Sequence, residues 1–136
     1  MKPIKINHIA IVVKDIEESL DFWVKAFGLH LDHVEEVPSQ TSKVAFLPLG
    51  ESEVELVQPT TTDSGMAAFL EKRGEGMHHL CIEVEDIEAA LAHLTEMGVR
   101  LINTKPEVLP GRKMAFIHPK AANGVLIELY QLTGDA

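Results

Sequence analysis

The chain has 136 residues, 46% of them hydrophobic and 24% charged, which is the size and composition of one globular domain with a real core. Its net charge of −9 at pH 7 would repel a nucleic-acid backbone and argues against nucleic acid as a partner. No apolar run approaches the roughly 20 residues that a membrane span needs, so no membrane partner is expected.

Cysteine usage and the N-terminus predict the compartment. Cys81 is the single cysteine, so the chain forms no internal disulfide, as is typical of proteins in a reducing compartment. The N-terminal residues Met1-Lys2-Pro3-Ile4 lack the apolar core of a signal peptide. We therefore expect a cytoplasmic protein.

The first half of the chain predicts a strand, a helix and three further strands. Residues 4–13 form an apolar, β-branched run that is typical of a buried strand. Asp15 has the character of a helix N-cap, apolar side chains follow at helical spacing, and Gly28 marks the end of the helix. The further strands are expected at about 29–37, 42–49 and 53–58.

A connector and a second set of elements complete the chain. Residues 60–76 form the connector, with a short helix near 65–73. The second set begins with a strand at 77–84 and a helix from the N-cap Asp86 to Gly98. Three strands follow near 99–103, 112–118 and 124–131, separated by segments with turn chemistry.

The two sets of elements are copies of each other. Aligning His8 with His79 also aligns Asp15-Ile16-Glu17 with Asp86-Ile87-Glu88, and residues 54–58 resemble residues 127–131. The order is βαβββ in both copies. We therefore predict an α+β fold in which two tandem βαβββ modules form a curved eight-stranded mixed sheet around a metal cleft. The domain is expected to span residues 1–136, with modules at about 4–59 and 77–131.

Each copy opens with a histidine and closes with a glutamate. A lone histidine or glutamate in a strand is more often structural or solvated, but chance gives no reason for the same pair in both copies. Imidazole nitrogen and carboxylate oxygen suit divalent first-row ions, whereas thiolates would favour softer binding. The donor types leave cobalt, nickel, manganese, zinc and iron open. Among them we expect cobalt first, with nickel, manganese and zinc as alternatives. The predicted ligands are His8, Glu55, His79 and Glu128.

His78 competes with His79 for the second histidine position. The register of the repeat favours His79, and neighbouring side chains on a strand point to opposite faces. Cys81 is interpreted as a small apolar core residue. The histidines without a counterpart in the other copy are interpreted as surface or loop residues, and they are His30, His33, His93 and His118.

Three stretches resemble the methylmalonyl-CoA epimerases of the vicinal oxygen chelate superfamily. They are Asn7–Val13, Gly76–Val84, and His118-Pro119-Lys120 followed by Gly124–Leu129. The resemblance covers nearly the whole chain, and the last stretch is the most specific to the epimerases. It implies epimerisation of (R)- and (S)-methylmalonyl-CoA by α-proton abstraction and reprotonation through a metal-stabilised enolate. The four predicted ligands fall on the family's ligand positions.

Epimerisation needs an acid/base group on each face of the α-carbon. The resemblance implies Glu128 as one of them. Some similar proteins carry a glutamate in the strand that corresponds to Lys43-Val44-Ala45-Phe46, and this sequence has no acid there. The second acid/base group is left unassigned, with a role for Glu55 left open.

The implied substrate is an acyl-CoA, and its phosphates need cations. The expected cations lie in loops of the second module near the metal-bearing strands, although each is equally well explained as an ordinary solvated charge. They are Lys105, Arg112, Lys113 and Lys120. Similar proteins are commonly dimers, so a homodimer is expected.

Three other functions share the expected fold. A glyoxalase I-type lactoylglutathione lyase can use the same ligand set, and the His118-Pro119-Lys120 motif favours the epimerase over it. A dioxygenase would use two histidines and one carboxylate around iron, so the fourth ligand argues against it. A metal-free small-molecule binding protein would have no reason to keep all four residues.

Overall fold

The computed structural model describes residues 1–134 and contains one eight-stranded mixed sheet, with strand order β2-β3-β4-β1-β5-β8-β7-β6. The strands are β1 (Pro3–Val12), β2 (His33–Val37), β3 (Ser42–Leu49), β4 (Ser52–Pro59), β5 (Gly76–Val84), β6 (Glu107–Leu109), β7 (Arg112–Ile117) and β8 (Ile127–Leu132). The α-helices are α1 (Ile16–Leu20), α2 (Gly65–Arg73) and α3 (Ile87–Glu96). The predicted eight-stranded α+β fold with two βαβββ modules is confirmed.

The chain divides into two compact units. The first unit is His8–His78, and the second unit comprises Met1–Asn7 together with His79 onward. Strand β1 is therefore shared, because its N-terminal part belongs to the second unit. The predicted single domain and module boundaries stay predictions, and Asp135 and Ala136 of that domain lie outside the described residues.

In the first unit, α1 covers one face of a four-stranded sheet. β4 is parallel to β1 and antiparallel to β3, which pairs in turn with β2. Asp15 caps α1 by accepting a hydrogen bond from the Glu17 amide at 2.9 Å. The core beneath the helix consists of buried apolar side chains that alternate along the strands. They are Val13, Ile16, Leu29, Ala45, Leu47 and Leu56.

The first long helix is not regular, contrary to the prediction. After α1 the backbone continues as a π-helix over Asp21–Ala26, in which the Phe27 amide donates to the Phe22 carbonyl. The rings of Phe22 and Phe27 stack with centroids 5.4 Å apart. Residues five apart face each other only when the helix widens, so this contact fits the π geometry. The helix ends as predicted at Gly28, which has a φ of 88°.

In the second unit, α3 covers β5, β7 and β8. β5 and β8 are parallel, and β7 is antiparallel to β8. Asp86 caps α3 by accepting from the Ala89 amide at 3.1 Å, so both predicted N-caps are confirmed. The core beneath the helix comprises Val84, Ile87, Ala90, Leu91, Ala115, Ile117 and Leu129.

The strand predicted near 99–103 is wrong. Leu101 makes a single bridge with Ile117, and the ladder stops there. The Asn103 side-chain oxygen accepts the Phe116 amide at 2.8 Å, so a side chain takes the place that a strand backbone would occupy. The strand paired with β7 is instead β6, which joins it through a turn at Pro110-Gly111. Gly111 has a φ of 78°, as the third position of such a turn requires.

Candidate metal and proton-transfer site

The first unit presents a histidine and a glutamate on the sheet face that points away from α1. His8 is 1% exposed, and its Nδ1 lies 3.3 Å from Oε2 of Glu55. The parallel register sets Ala10 of β1 opposite Glu55, and His8 is two residues from Ala10 on the same face. Phe46 of β3 lies beside Glu55 on the other side. We call this face, in each unit, the His–Glu face.

The second unit repeats this arrangement. His79 is 7% exposed and Glu128 4%, and His79 Nε2 lies 3.0 Å from Glu128 Oε1. Cys81 is the register partner of Glu128, in the position that Ala10 has in the first unit. Phe116 lies on the other side of Glu128 and turns its ring edge-on to His79, with centroids 5.8 Å apart.

Strand alternation explains why these side chains meet. The neighbours of Glu55, Val54 and Leu56, pack into the helix-covered core, and this leaves Glu55 on the opposite face. Alternation also separates the two adjacent histidines. His79 contacts Glu128, whereas the His78 ring packs against Phe69 of α2 at 4.9 Å between centroids. The structure thus places His79, not His78, on the His–Glu face.

The donor set of each unit fits a divalent ion. Two ligand atoms that are each about 2.1 Å from one ion, at an angle near 90 to 105°, are roughly 3.0 to 3.3 Å apart. The measured nitrogen–oxygen separations are 3.3 Å in the first unit and 3.0 Å in the second. Nitrogen and carboxylate oxygen are also the donor types that the sequence analysis expected. Each pair can therefore supply two neighbouring ligands.

The remaining histidines lie at the surface or in loops, as the sequence suggested. His30 is exposed, and His93 is exposed on α3. His33 is exposed but belongs to strand β2, where its Nδ1 lies 2.6 Å from Asp32 and its ring stacks on Phe46 at 4.5 Å. It therefore lies in the same row of the His–Glu face as Phe46 and Glu55. His33 has no counterpart in the other copy that would have identified it from the sequence.

His118 has a structural task in its loop. It precedes the 3₁₀ helix Pro119–Ala121, and its Nδ1 accepts a hydrogen bond from the Lys120 amide at 3.1 Å. Burial lowers the pKa of His118 below its ordinary value, and the positive charges of Arg100 and Lys120 lower it further. The His118-Pro119-Lys120 motif thus forms a helix cap, and the neutral imidazole is the form that can accept the bond.

The four predicted cations are not equivalent. Lys105 lies in the loop after α3, and Lys120 is exposed in the 3₁₀ helix. Arg112 and Lys113 lie in strand β7 rather than in a loop, so that part of the prediction is corrected. Lys113 donates to Glu88 of α3 at 2.7 Å, whereas the Arg112 guanidinium lies over the Tyr130 ring at 5.6 Å.

Two repeated features of the site were not predicted from the sequence. Phe46 and Phe116 occupy matching positions beside the two glutamates, and the Ala-Phe dipeptide that both strands share was a signal for them. Gln58 and Gln131 were aligned in the repeat but given no role. Their side-chain oxygens accept the amides of Ile16 and Ile87, both at 2.9 Å, and so join the glutamate strand of each unit to the first residue of α1 or α3.

The strand that carries an acid in some similar proteins carries none on the His–Glu face here. Register with β4 puts Ser42, Val44 and Phe46 of β3 on that face. Ser42 is buried, and its hydroxyl donates to the Gln40 carbonyl at 2.9 Å. This strand therefore offers no carboxylate as the second acid/base group.

A family model described as the Glyoxalase/Bleomycin resistance protein/Dioxygenase superfamily matches residues 7–116. The chain is 37% identical to the ethylmalonyl-CoA/methylmalonyl-CoA epimerase of Cereibacter sphaeroides, over 94% of this chain and 98% of the relative. It is 36% identical to the mitochondrial methylmalonyl-CoA epimerase of Homo sapiens, over 93% of this chain and 73% of the relative. A solved methylmalonyl-CoA epimerase in complex with methylmalonyl-CoA and NH4+ has a TM-score of 0.87 at 30% identity, covering 99% of both chains.

Proposed function

The chain belongs to the methylmalonyl-CoA epimerases of the Glyoxalase/Bleomycin resistance protein/Dioxygenase superfamily, and from this premise we propose that it interconverts (R)- and (S)-methylmalonyl-CoA. The observation that carries the proposal is the repeated buried His–Glu pair, which occurs on the same sheet face in both units. Family membership supplies the substrate and the reaction class. The pairs offer four candidate metal ligands and one candidate acid/base group for such a reaction.

The proposed ligands of one divalent ion are His8, Glu55, His79 and Glu128. When bound, such an ion supplies positive charge that polarises the thioester carbonyl and so acidifies the neighbouring α-carbon. Cobalt is the first choice, with nickel, manganese and zinc as alternatives. Their borderline character, or hard character in the case of manganese, matches a set of two imidazole nitrogens and two carboxylates.

Glu128 is the proposed catalytic acid/base. Its carboxylate takes the α-proton from one epimer and returns a proton when the reaction runs the other way. The side chain is 5% exposed, so little water competes for its lone pairs, and its Oε1 lies 3.0 Å from His79 Nε2. These contacts fix the direction of the carboxylate before substrate arrives. The group on the opposite face of the α-carbon remains unassigned.

The proposal also includes binding of the CoA moiety of the substrate. Its phosphates would meet cations of the second unit, for which the candidates are Lys105, Arg112 and Lys120, whereas Lys113 of the expected set is already paired with Glu88. In residues 1–134 no helix is long and apolar enough to cross a membrane. The cytoplasmic location and the homodimer stay predictions.

The test of the function is proton exchange in deuterated water. Purified protein with a measured content of cobalt is incubated with (S)-methylmalonyl-CoA, and the product is analysed by mass spectrometry and chiral separation. We expect appearance of the (R)-epimer together with one deuterium at the α-carbon. If protein with metal bound produces neither the second epimer nor exchange, the proposal is wrong.

A parallel assay separates the other functions. The glutathione hemithioacetal of methylglyoxal is the substrate of a lactoylglutathione lyase, and we expect turnover of it at least a hundredfold below that of methylmalonyl-CoA. Metal analysis of the same preparation tests the metal-free binding protein. If the protein turned over the hemithioacetal and not methylmalonyl-CoA, it would be a lactoylglutathione lyase and not an epimerase.

A further inference from the structure

The side chain of Arg112 contains a hydrogen-bond donor that its surroundings leave without an acceptor. Its side chain is half-buried, and its Nε–H is buried without a hydrogen-bond partner among the described residues. A guanidinium remains charged at every ordinary pH, and a buried donor without a partner is costly. Native proteins rarely leave such a group unsatisfied unless water, a ligand or an ion completes it. Arg112 is therefore a cation to which a further group can still bind.

Arg112 lies on the His–Glu face of the second unit. In the antiparallel pair of β7 and β8, Met114 is opposite Tyr130 and Phe116 is opposite Glu128. Alternation then puts Arg112 on the same face as Met114 and Phe116. The guanidinium lies 5.6 Å from the centre of the Tyr130 ring, and Tyr130 is two residues, or about 7 Å along the strand, from Glu128. An anion bound by Arg112 would thus lie along β8 from the proposed catalytic carboxylate.

The adjacent residue, Lys113, lies on the opposite face of the sheet. It is the register partner of Gln131, whose side chain binds the first amide of α3, so Lys113 lies on the helix-covered face. Its Nζ lies 2.7 Å from Glu88, which balances its charge. Two neighbouring cations of one strand therefore differ in both the face that they occupy and the partner that they have.

We propose that Arg112, packed on Tyr130, binds an anionic oxygen group of the acyl-CoA substrate, and that Lys113 does not take part. This inference rests on the proposed function, which supplies an anionic substrate. Two groups of that substrate share the required chemistry, the acyl carboxylate and the CoA phosphates. The planar guanidinium can bind either one through two parallel hydrogen bonds.

The experiment compares Arg112→Met with the matched control Lys113→Met. Calorimetric titration measures the dissociation constants of methylmalonyl-CoA and of methylmalonyl-pantetheine, which keeps the carboxylate but lacks the CoA phosphates. For Arg112→Met we expect methylmalonyl-CoA to bind roughly tenfold to a hundredfold more weakly, the usual effect of losing a charged hydrogen-bond donor. For Lys113→Met the change should stay within about twofold, as for a solvated ion pair.

The two ligands identify the anion. Weaker binding of methylmalonyl-CoA alone assigns Arg112 to a CoA phosphate, and weaker binding of both ligands assigns it to the acyl carboxylate. Unchanged binding of both, or equal losses in Arg112→Met and Lys113→Met, would overturn the proposal. Circular dichroism checks that the variants fold. If Arg112→Met does not fold, Arg112→Lys takes its place, and a loss of at least fivefold is expected because a lysine cannot form the planar fork.

Binding and turnover keep the two proposals apart. Titration reports on Arg112 whether or not the protein epimerises the ligand. A wild-type protein that binds methylmalonyl-CoA through Arg112 but does not exchange its α-proton would contradict the proposed function and support this inference. If the protein epimerises the substrate and Arg112→Met leaves the dissociation constant unchanged, the proposed function is supported and this inference is contradicted.

Discussion

The His–Glu pairs occupy equivalent positions in the two units, but their glutamate side chains differ in how far they are exposed to solvent. Both histidine side chains are almost inaccessible, at 2% for His8 and 8% for His79, whereas the Glu55 side chain is 16% exposed and that of Glu128 is 5% exposed. The repeat thus sets the position of four donor groups, while the surroundings make the two carboxylates different. A shielded carboxylate is better suited to proton transfer, and a more open one to a purely ligating role.

The outer strands of the two units differ more strongly. β2 of the first unit pairs with β3 over its whole length from His33 to Val37. In the second unit only Glu107–Leu109 pairs with β7, after the single bridge at Leu101. Sequence repetition is clear for the strands that carry the site and is lost at this edge. The inner strands are therefore the part of the repeat that the site requires.

The largest expected effect comes from exchanging each carboxylate for an amide. Glu128→Gln should lower the rate of epimerisation by about 10²- to 10⁴-fold, the usual contribution of an acid/base group. Glu55→Gln keeps an oxygen ligand and should lower the rate by less than about tenfold. Initial rates are measured by chiral separation, and the cobalt content is measured in both variants. Equal losses at full metal occupancy would show that the two carboxylates share one role.

The next prediction asks whether the two histidines are equivalent. His8→Ala and His79→Ala should each weaken cobalt binding by more than about tenfold, since even outer residues of a metal site contribute that much. His78→Ala is the matched control, because the His78 ring packs against Phe69 and not beside Glu128. Equilibrium dialysis with elemental analysis gives the affinities. Loss of metal in His78→Ala with full retention in His79→Ala would reverse the assignment.

The sequence predicted the inner strands well because their signals are local and repeated. Asp15 and Asp86 cap their helices as expected, and the helix predicted at 65–73 is α2. The edge was mispredicted because Leu101-Ile102 has strand character by itself, and nothing local reveals that Asn103 will occupy the Phe116 amide. A tertiary contact there outweighs propensity.

The sequence was sufficient to predict which residues of the site could be ligands. It was not sufficient to predict how the side chains around those residues are arranged. The repeat identified His8, Glu55, His79 and Glu128 from sequence alone. It could not show that Lys113 is balanced by Glu88 while the buried Arg112 Nε–H has no partner in the described part of the chain. Those differences depend on which strand face each side chain occupies, and a shift of one residue in register would have exchanged them.

A smaller effect is expected from the two glutamines that join strand to helix. Gln58→Ala and Gln131→Ala each remove a hydrogen bond of 2.9 Å to the first amide of a helix. The free energy of unfolding should fall by about 0.5 to 1.5 kcal/mol in each variant. Urea unfolding measures both losses. Losses that differ by more than about 1 kcal/mol would mean that the two units do not use this contact equally.

The smallest effect concerns a loop that only one unit has. β3 and β4 of the first unit are joined by a tight turn, with Leu49 paired to Ser52, whereas β7 and β8 of the second unit are joined by the segment that His118 caps. The pKa of His118 is lowered by burial and by the charges of Arg100 and Lys120, so the unfolded chain binds a proton more readily than the folded one. The stabilising contribution of His118 is therefore present above the unfolded pKa of about 6.5 and is lost as pH falls through the lower folded value.

His118→Asn isolates this contribution, because asparagine can also accept the Lys120 amide and does not titrate. Urea midpoints of wild type and variant are compared at pH 7.5 and at pH 5, where other groups titrate alike in both proteins. We expect the two proteins to have similar midpoints at pH 7.5 and the wild type to lose more stability than the variant at pH 5. An equal loss of stability in both proteins would mean that protonation of His118 leaves the cap intact. His118 would then not make the second unit more sensitive to acid than the first.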